Sequence, residues 1–158
     1  MNRFVYLAGP VLGMTETAAN NWRKLVARAL ADFRIVGISP LRCEPIHGET
    51  YEVGYPDERF GTARAIMSKN MFDVKQCDMV LAYIPKPEPG KHHSWGTMQE
   101  LAWGRAFDKP VILVSDDPEI RGHPVINASC GWVLDNLEDA VAVVVGILGG
   151  YTGGSRNV

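Results

Sequence analysis

A glutamate near the start of a predicted helix is the residue best suited to chemistry in this sequence. Residues 94–106 read as the end of a polar loop followed by a helix, which places Glu100 about one turn into that helix. Ser94 or Thr97 is expected to cap the helix. A carboxylate in this position can act as a nucleophile or a base, or it can simply complement the positive end of the helix dipole. Its neighbours in the fold decide between these roles.

Short apolar runs alternate with helical patterns along the chain. Strands are predicted at 4–8, 34–39, 78–84 and 110–114, and helices at 17–33, 59–76, 94–106 and 137–148. Residues 40–58 and 115–124 read as loops, and 125–134 favour no single structure. Since a strand, a helix and a strand in succession form a crossover unit, we expect a doubly wound, mostly parallel five-stranded sheet flanked by helices. This α/β class is Rossmann-like or flavodoxin-like, with one catalytic domain at 1–150 and a C-terminal tail at 151–158.

Three details of the predicted helices depend on polar residues. Asp57 is a candidate start for the helix at 59–76. Asn70 and Asp73 lie three residues apart near the end of that helix and would share one face. The first helix is expected to have a polar face made of Arg23, Lys24, Arg28 and Asp32.

The predicted topology gathers polar residues around the glutamate. Loops that follow parallel strands meet at the carboxyl edge of the sheet, which is where open α/β sheets bind ligands. The residues brought near Glu100 would be Tyr6, Gly9, Asn70, Asp73 and Ser94. A carboxylate beside a tyrosine hydroxyl suits attack on the anomeric carbon of a sugar, because the transition state resembles an oxocarbenium cation. The carboxylate can stabilise that cation and then close onto it as an ester.

Composition narrows the classes of partner. The chain has 158 residues, 46% hydrophobic and 22% charged, with a formal net charge of −2. With no basic run, we expect neither a nucleic acid polymer nor a membrane as partner, and small ligands are favoured. Three widely spaced cysteines suggest neither a disulfide framework nor a zinc site. With no signal peptide and no membrane-spanning run, the sequence is expected to be cytoplasmic.

Several familiar motifs do not occur. The loop at 9–13 is not a dinucleotide fingerprint, and neither a phosphate-binding loop nor a Gly-x-Ser-x-Gly elbow is present. His92 and His93 are adjacent and so point in different directions, which argues against a metal site. We therefore expect no metal.

Four segments, in this order, carry a family resemblance. They are Val5–Pro10, Cys77–Ala82, Ser94–Glu100 together with Gly104 and Ala106, and Pro124–Asn127. The sequence resembles the nucleoside 2-deoxyribosyltransferase superfamily, which includes deoxynucleoside 5′-monophosphate N-glycosidases. The resemblance implies a Rossmann-like fold, no cofactor and a homo-oligomer with shared active sites. It makes Glu100 the nucleophile, held by Tyr6, and it makes Asn127 a residue that reaches into a neighbour's sugar site.

Two departures from the family pattern leave the substrate open. Asn70 stands where the family often has an aspartate that handles the leaving base, and an amide cannot protonate that base. Either Asp73 does so, or the base needs little acid help, or catalysis is weak. Ser94 stands where transferases of free nucleosides commonly carry an aspartate. A hydroxyl there, with Ser129 from a partner subunit, suits a phosphate, although the loop at 9–14 lacks the serine and arginine of the nucleotide-hydrolysing branch.

These observations support three hypotheses. The first is transfer of a deoxyribosyl group between nucleobases through a Glu100 ester. The second is hydrolysis of nucleoside 5′-monophosphates, and the third is a nucleotide-sensing module without catalysis. In each case the partner is a small nucleoside or nucleotide, with a free nucleobase for the transferase. The substrate-binding residues are expected to be Gly9, Pro10, Ser94, Gly96, Asn127 and Ser129.

Overall fold

A single parallel sheet forms the centre of the molecule. The computed structural model describes residues 1–45 and 48–149, so the predicted tail at 151–158 lies outside the described residues. The strand order is β2-β1-β3-β4-β5, and all four pairings are parallel. The strands are β1 (Arg3–Ala8), β2 (Ile35–Ile38), β3 (Met79–Tyr83), β4 (Val111–Val114) and β5 (Trp132–Leu134). This architecture confirms the predicted fold class.

Helices cover both faces of the sheet. They are α1 (Glu16–Ala31), α2 (Ala63–Gln76), α3 (Trp95–Ala106), α4 (Pro118–Gly122), α5 (Pro124–Ala128) and α6 (Leu137–Leu148). Helices α1 and α6 pack together on one face, and α2 and α3 pack together on the other. None of the helices in the described ranges combines the length and apolarity needed to cross a membrane.

The alternation of side chains along β1 assigns each residue to one face of the sheet. Val5 and Leu7 are buried in the core beneath α1 and α6, whereas Tyr6 and Ala8 are buried in the core beneath α2 and α3. A tyrosine in the middle of a central strand thus has its hydroxyl under the helix that carries Glu100. The alternation along the strand thus buries this polar group between the sheet and the helices.

Helix α3 lies very close to the sheet because one of its residues has no side chain. A Cβ atom built on Gly104 would lie 2.9 Å from a methyl of Val80 and 3.0 Å from a methyl of Val111. The glycine therefore sets the distance between helix and sheet, and it lies one turn after Glu100 on the same buried face.

Several boundaries differ from the predictions. Helix α2 begins at Ala63 with Thr62 as its N-cap, and not near residue 59, because Asp57 instead accepts hydrogen bonds from the backbone of Arg59 and Phe60 in a turn. Ser94, rather than Thr97, caps α3. The region at 115–124, predicted as a loop, contains α4, and 125–134 resolves into the end of α5 and all of β5.

Candidate active site

Glu100 lies at the centre of a small buried cluster. Its side chain is on the sheet-facing side of α3 and only 5% of the residue is exposed. The Tyr6 hydroxyl donates to Oε1 at 2.8 Å, and Asn70 Nδ2 donates to the same oxygen at 3.0 Å. The structure therefore brings Tyr6, Asn70 and Glu100 together as the sequence predicted.

The two oxygens of the Glu100 carboxylate differ in their hydrogen bonds. No hydrogen bond among the described residues ends on Oε2 of Glu100. Among the described residues, Thr97 Oγ1 is the one fully buried side-chain polar atom without a hydrogen-bond partner. Of the two oxygens of Glu100, only Oε1 thus accepts hydrogen bonds from the described residues. The Tyr6 and Asn70 bonds fix the carboxylate through this oxygen.

Burial and the neighbouring polar groups shift the pKa of Glu100 in opposite directions. Burial raises the pKa of its carboxyl from 4.5 to about 7, and the Tyr6 hydrogen bond, the charge of Arg23, the Asn70 hydrogen bond and the charge of Lys69 hold that rise in check. Burial and the facing carboxyl raise the pKa of Tyr6 well above 10, so Tyr6 stays a donor at neutral pH. Glu100 is therefore a carboxyl that changes its ionisation near neutral pH.

Arg23 secures the end of β1, and sequence reasoning missed it. It was expected on the polar face of the first helix, but it is 2% exposed. Its Nε donates to the carbonyl of Leu7 at 3.1 Å and its Nη2 to the carbonyl of Gly9 at 2.8 Å. The available signal was its spacing, because Arg23 falls on the same helical stripe as Ala19 and Val26, which are both buried.

Asp73 belongs to an ion-pair network next to the cluster. Arg42 holds both of its carboxylate oxygens, with Nη2 at 2.7 Å from Oδ1 and Nη1 on Oδ2. Lys69 Nζ lies 3.6 Å from the same carboxylate. Asp73 thus shares a helix face with Asn70, as predicted, while in this structure its oxygens face Arg42. Its proposed role as an acid for the leaving base remains a prediction.

The predicted substrate-binding residues of the first loop and of α3 flank the cluster. Gly9 is required by packing, since an added Cβ would lie 2.7 Å from the Trp22 ring. Pro10 follows it and is partly exposed. Ser94 Oγ accepts a hydrogen bond from the Thr97 amide at 3.2 Å, a cap that does not use the hydroxyl hydrogen. Gly96 is partly buried, and Ser94 Oγ, 3.9 Å away, is what a Cβ there would meet first.

Asn127 and Ser129 lie elsewhere on the surface of this chain. Asn127 is exposed on α5 and donates to the carbonyl of Arg121 at 2.8 Å, while Ser129 donates to the carbonyl of Val125 at 2.9 Å. Neither makes a hydrogen bond with Glu100 of its own chain. The prediction that they serve a neighbouring subunit's site remains a prediction.

One other group of side chains has the chemistry of metal ligands. One ligand atom each from His93, Asp117 and Glu119 lies within 4.8 Å of the others. His93 Nε2 is already 3.0 Å from Asp117 Oδ2, and Asp117 Oδ1 caps α4 by accepting from the Glu119 amide. The contact between His93 and Asp117 thus links the loops after β3 and β4.

Solved structures of three differently described proteins share this fold at low sequence identity. A 2-deoxyribosyltransferase from Leishmania mexicana gives a TM-score of 0.63 and 20% identity, over 92% of this chain and 98% of that chain. A molybdenum cofactor binding protein from Rippkaea orientalis gives 0.59 and 18%, over 93% and 98% of the two chains. A CMP N-glycosidase from Clostridium botulinum gives 0.51 and 17%, over 90% and 98%. At these identities the likenesses establish the fold and no particular activity.

Sequence comparison with a protein family is more specific. No curated protein sequence matches the chain significantly. The family model of the nucleoside 2-deoxyribosyltransferases matches residues 5–142, a range that contains Tyr6, Asn70 and Glu100. The chain belongs to the nucleoside 2-deoxyribosyltransferase family.

Proposed function

We propose that this chain cleaves the N-glycosidic bond of a 2′-deoxynucleoside and passes the deoxyribosyl group to another nucleobase through a covalent ester on Glu100. The observation that supports this most directly is the anchored carboxylate, held at Oε1 by Tyr6 and Asn70 with Oε2 left to attack. Membership in the family supports the same reaction. The partners are a small nucleoside and a free nucleobase, and we expect the reaction to need no cofactor.

In the first step, Oε2 of Glu100 attacks the anomeric carbon of the sugar. A bond forms between Oε2 and that carbon while the bond to the base nitrogen breaks, and its electron pair leaves with the base. Oε1 becomes the carbonyl oxygen of the ester and keeps Tyr6 and Asn70 as hydrogen-bond donors. The negative carboxylate stabilises the cationic character of the transition state before the ester closes.

In the second step, a nitrogen of the incoming base attacks the same carbon, and the bond from that carbon to Oε2 breaks to release the Glu100 carboxylate. The proton on the attacking nitrogen passes to solvent. Each displacement inverts the anomeric carbon, so the product keeps the configuration of the substrate. If water attacks instead, the products are free base and sugar. Transfer and hydrolysis thus share the first step and differ in the acceptor.

The departing base needs a proton, and its source is a separate question. Asn70 cannot supply one. Asp73 would first have to release Arg42, which holds both its oxygens. We therefore propose that the enzyme favours bases that leave with little acid assistance.

A product assay tests the proposal. Purified protein is incubated with each deoxynucleoside and each 5′-monophosphate, with and without a second free base, and the products are separated. We expect a new deoxynucleoside only when the second base is present, and no product with Glu100→Ala. The matched control is Glu138→Ala, which removes an exposed glutamate from the first turn of α6 and should leave turnover unchanged. Unchanged exchange in Glu100→Ala would refute the nucleophile.

Ser94 favours a second candidate, hydrolysis of a nucleoside 5′-monophosphate. Its neutral hydroxyl lies at the N-terminus of α3, and a phosphate would be repelled by a carboxylate at the same position. This candidate predicts free base and sugar phosphate from the monophosphate, and Ser94→Asp should weaken that turnover far more than turnover of nucleosides. Equal activity on nucleosides and on 5′-monophosphates, in the wild type and in Ser94→Asp, would count against this candidate. Saturable binding without base release would favour the sensing module.

A further inference from the structure

A chain of hydrogen bonds connects a half-buried lysine to the proposed nucleophile. Lys69 Nζ donates to Asn70 Oδ1 at 2.8 Å, and Asn70 Nδ2 donates to Glu100 Oε1 at 3.0 Å. The Lys69 side chain is only 12% exposed, and its Nζ also donates to the carbonyl of Pro40 at 2.8 Å. The lysine is therefore held in place at the end of β2, and only Asn70 stands between it and Glu100.

The chemistry of the amide makes this chain directional. An ammonium group has only donors, so it can bond Asn70 only through Oδ1. That contact turns the Asn70 amino group towards the Glu100 carboxylate. The reverse orientation would place Oδ1 against a carboxylate and the amino group against an ammonium, with repulsion at both ends. Lys69 thus determines which end of Asn70 faces Glu100.

The same argument gives a reason for an amide at position 70. An ionised aspartate there could accept from Lys69 but could not donate to Glu100, and it would add a second negative charge beside the nucleophile. The pair of Lys69 and Asn70 is suited to holding a carboxylate in place. It is not suited to protonating a base.

We propose that Lys69 is a positioning residue for the proposed reaction: by fixing the Asn70 amide it holds the Glu100 carboxylate in the geometry for attack. The inference rests on Glu100 being the nucleophile. Lys69 does not touch the reacting atoms, so its effect passes through Asn70 and through its positive charge.

The groups that act on Glu100 come from three elements. Tyr6 faces it from β1, Arg23 acts on it from α1, and Asn70 and Lys69 act on it from α2. Arg42, in the loop after β2, pairs with Asp73 of α2 beside them. Burial and the nearby Arg42 lower the pKa of Lys69, and Asp73 opposes this. The Lys69 charge acts to lower the pKa of Glu100, so its removal should raise that pKa.

The test compares Lys69→Met with Lys69→Arg in single-turnover base release across pH. For Lys69→Met we expect the rate to fall by about tenfold or more at neutral pH, the order of one charge-assisted hydrogen bond, while KM changes little. The pH of half-maximal rate should rise by about one unit. Lys69→Arg should restore part of the rate and part of the shift in this pH. Lys75→Met, an exposed lysine of the same helix, is the matched control and should match the wild type. A pH midpoint unchanged in Lys69→Met would overturn the proposal.

A second measurement separates this inference from the proposed reaction. Carbon-13 NMR of labelled glutamate follows the Glu100 carboxyl titration in the wild type and in Lys69→Met, whether or not either protein turns over substrate. An upward shift in a protein that releases no base would uphold the coupling of Lys69 to Glu100 and refute the proposed function. No shift would refute the positioning role alone. If Lys69→Met fails to fold, Lys69→Gln replaces it in both measurements.

Discussion

Burial of Glu100 affects folding and reactivity in opposite directions. Its pKa rises from 4.5 to about 7, so between these values the folded protein holds a proton that the unfolded chain has lost. The folding stability linked to this carboxyl is present at low pH and is lost as pH rises through about 7. The ionised form that the proposed reaction requires is therefore the form that folding disfavours.

Glu100→Gln should consequently give a more stable protein with no activity at pH 8. The glutamine keeps an oxygen for Tyr6 and Asn70 but carries no charge. We expect the free energy of unfolding to rise on the order of 3 kcal/mol at pH 8, with the gain disappearing towards about pH 4, where both states of the wild type are protonated. Urea denaturation at both pH values measures this. A gain of equal size at both would show that ionisation is not its cause.

Thr97 carries a buried polar group that has no partner among the described residues. Its Oγ1 is unpaired and the residue is 2% exposed, one turn before Glu100 on the buried face of α3. Thr97→Val keeps the shape and removes the hydroxyl, so we expect the free energy of unfolding to rise by about 1 kcal/mol. Thr62→Val, which removes the N-cap of α2, should lose about 1 kcal/mol in the same thermal or urea measurement. Destabilisation by Thr97→Val would mean that the hydroxyl has a partner, such as an ordered water.

The sequence predicts the location of some residues of the site but not of others. Tyr6, Asn70 and Glu100 were expected together because each belongs to an element with a clear pattern. Arg23 and Lys69 were missed, because their partners are backbone carbonyls and a side-chain amide. A pattern of polar and apolar residues predicts that a charged side chain lies on the surface. It does not show which backbone carbonyls will need a side-chain donor once the chain has folded.

At the scale of elements, alternating strands and helices were enough to predict the parallel sheet and its two helical layers. The misplaced start of α2 has a local reason. Asp57 and Thr62 can both cap a helix, and the Arg59 side chain engages Asp57 in a turn instead. Helices α4 and α5 span five residues each, too few for a repeating pattern to show. Tertiary contacts determine whether such short segments become helical.

Gly104 links the packing of α3 to the position of the nucleophile. In Gly104→Ala the new methyl would meet Val80 and Val111 at about 3 Å, so α3 has to move away from the sheet. We expect a loss of about 1–3 kcal/mol in the free energy of unfolding and a fall in kcat, because Glu100 moves relative to Tyr6. In Gly146→Ala on α6 the methyl meets nothing within 4 Å, and the better helix propensity should stabilise by about 1 kcal/mol. Equal gains in both variants would show that α3 is not tightly seated.

At the scale of the whole molecule, we propose that the site is completed by residues of a second chain. Asn127 and Ser129 lie on or just after α5 and do not bond to Glu100 of their own chain. Large apolar side chains are exposed on α2, α3 and α5: Phe72, Trp95 and Val125 are 61%, 82% and 69% exposed. A single sequence does not specify which surfaces meet, since that depends on the fit of two folded copies. The homo-oligomer with shared sites is therefore a proposal carried from the family resemblance.

Mixing two inactive variants tests that proposal. If Asn127 completes a neighbour's site, Glu100→Ala and Asn127→Ala are each inactive alone, but a hybrid dimer contains one site with both native residues. Random mixing by co-expression should then restore about a quarter of the wild-type sites. Glu100→Ala mixed with Tyr6→Phe is the control. Tyr6 and Glu100 of one chain are hydrogen-bonded to each other at 2.8 Å, so every site of a hybrid dimer still lacks one of these two residues. Base release in the first mixture and not in the second would place Asn127 in the partner's site. Failure of both mixtures, or full activity of Asn127→Ala alone, would confine the catalytic residues to a single chain.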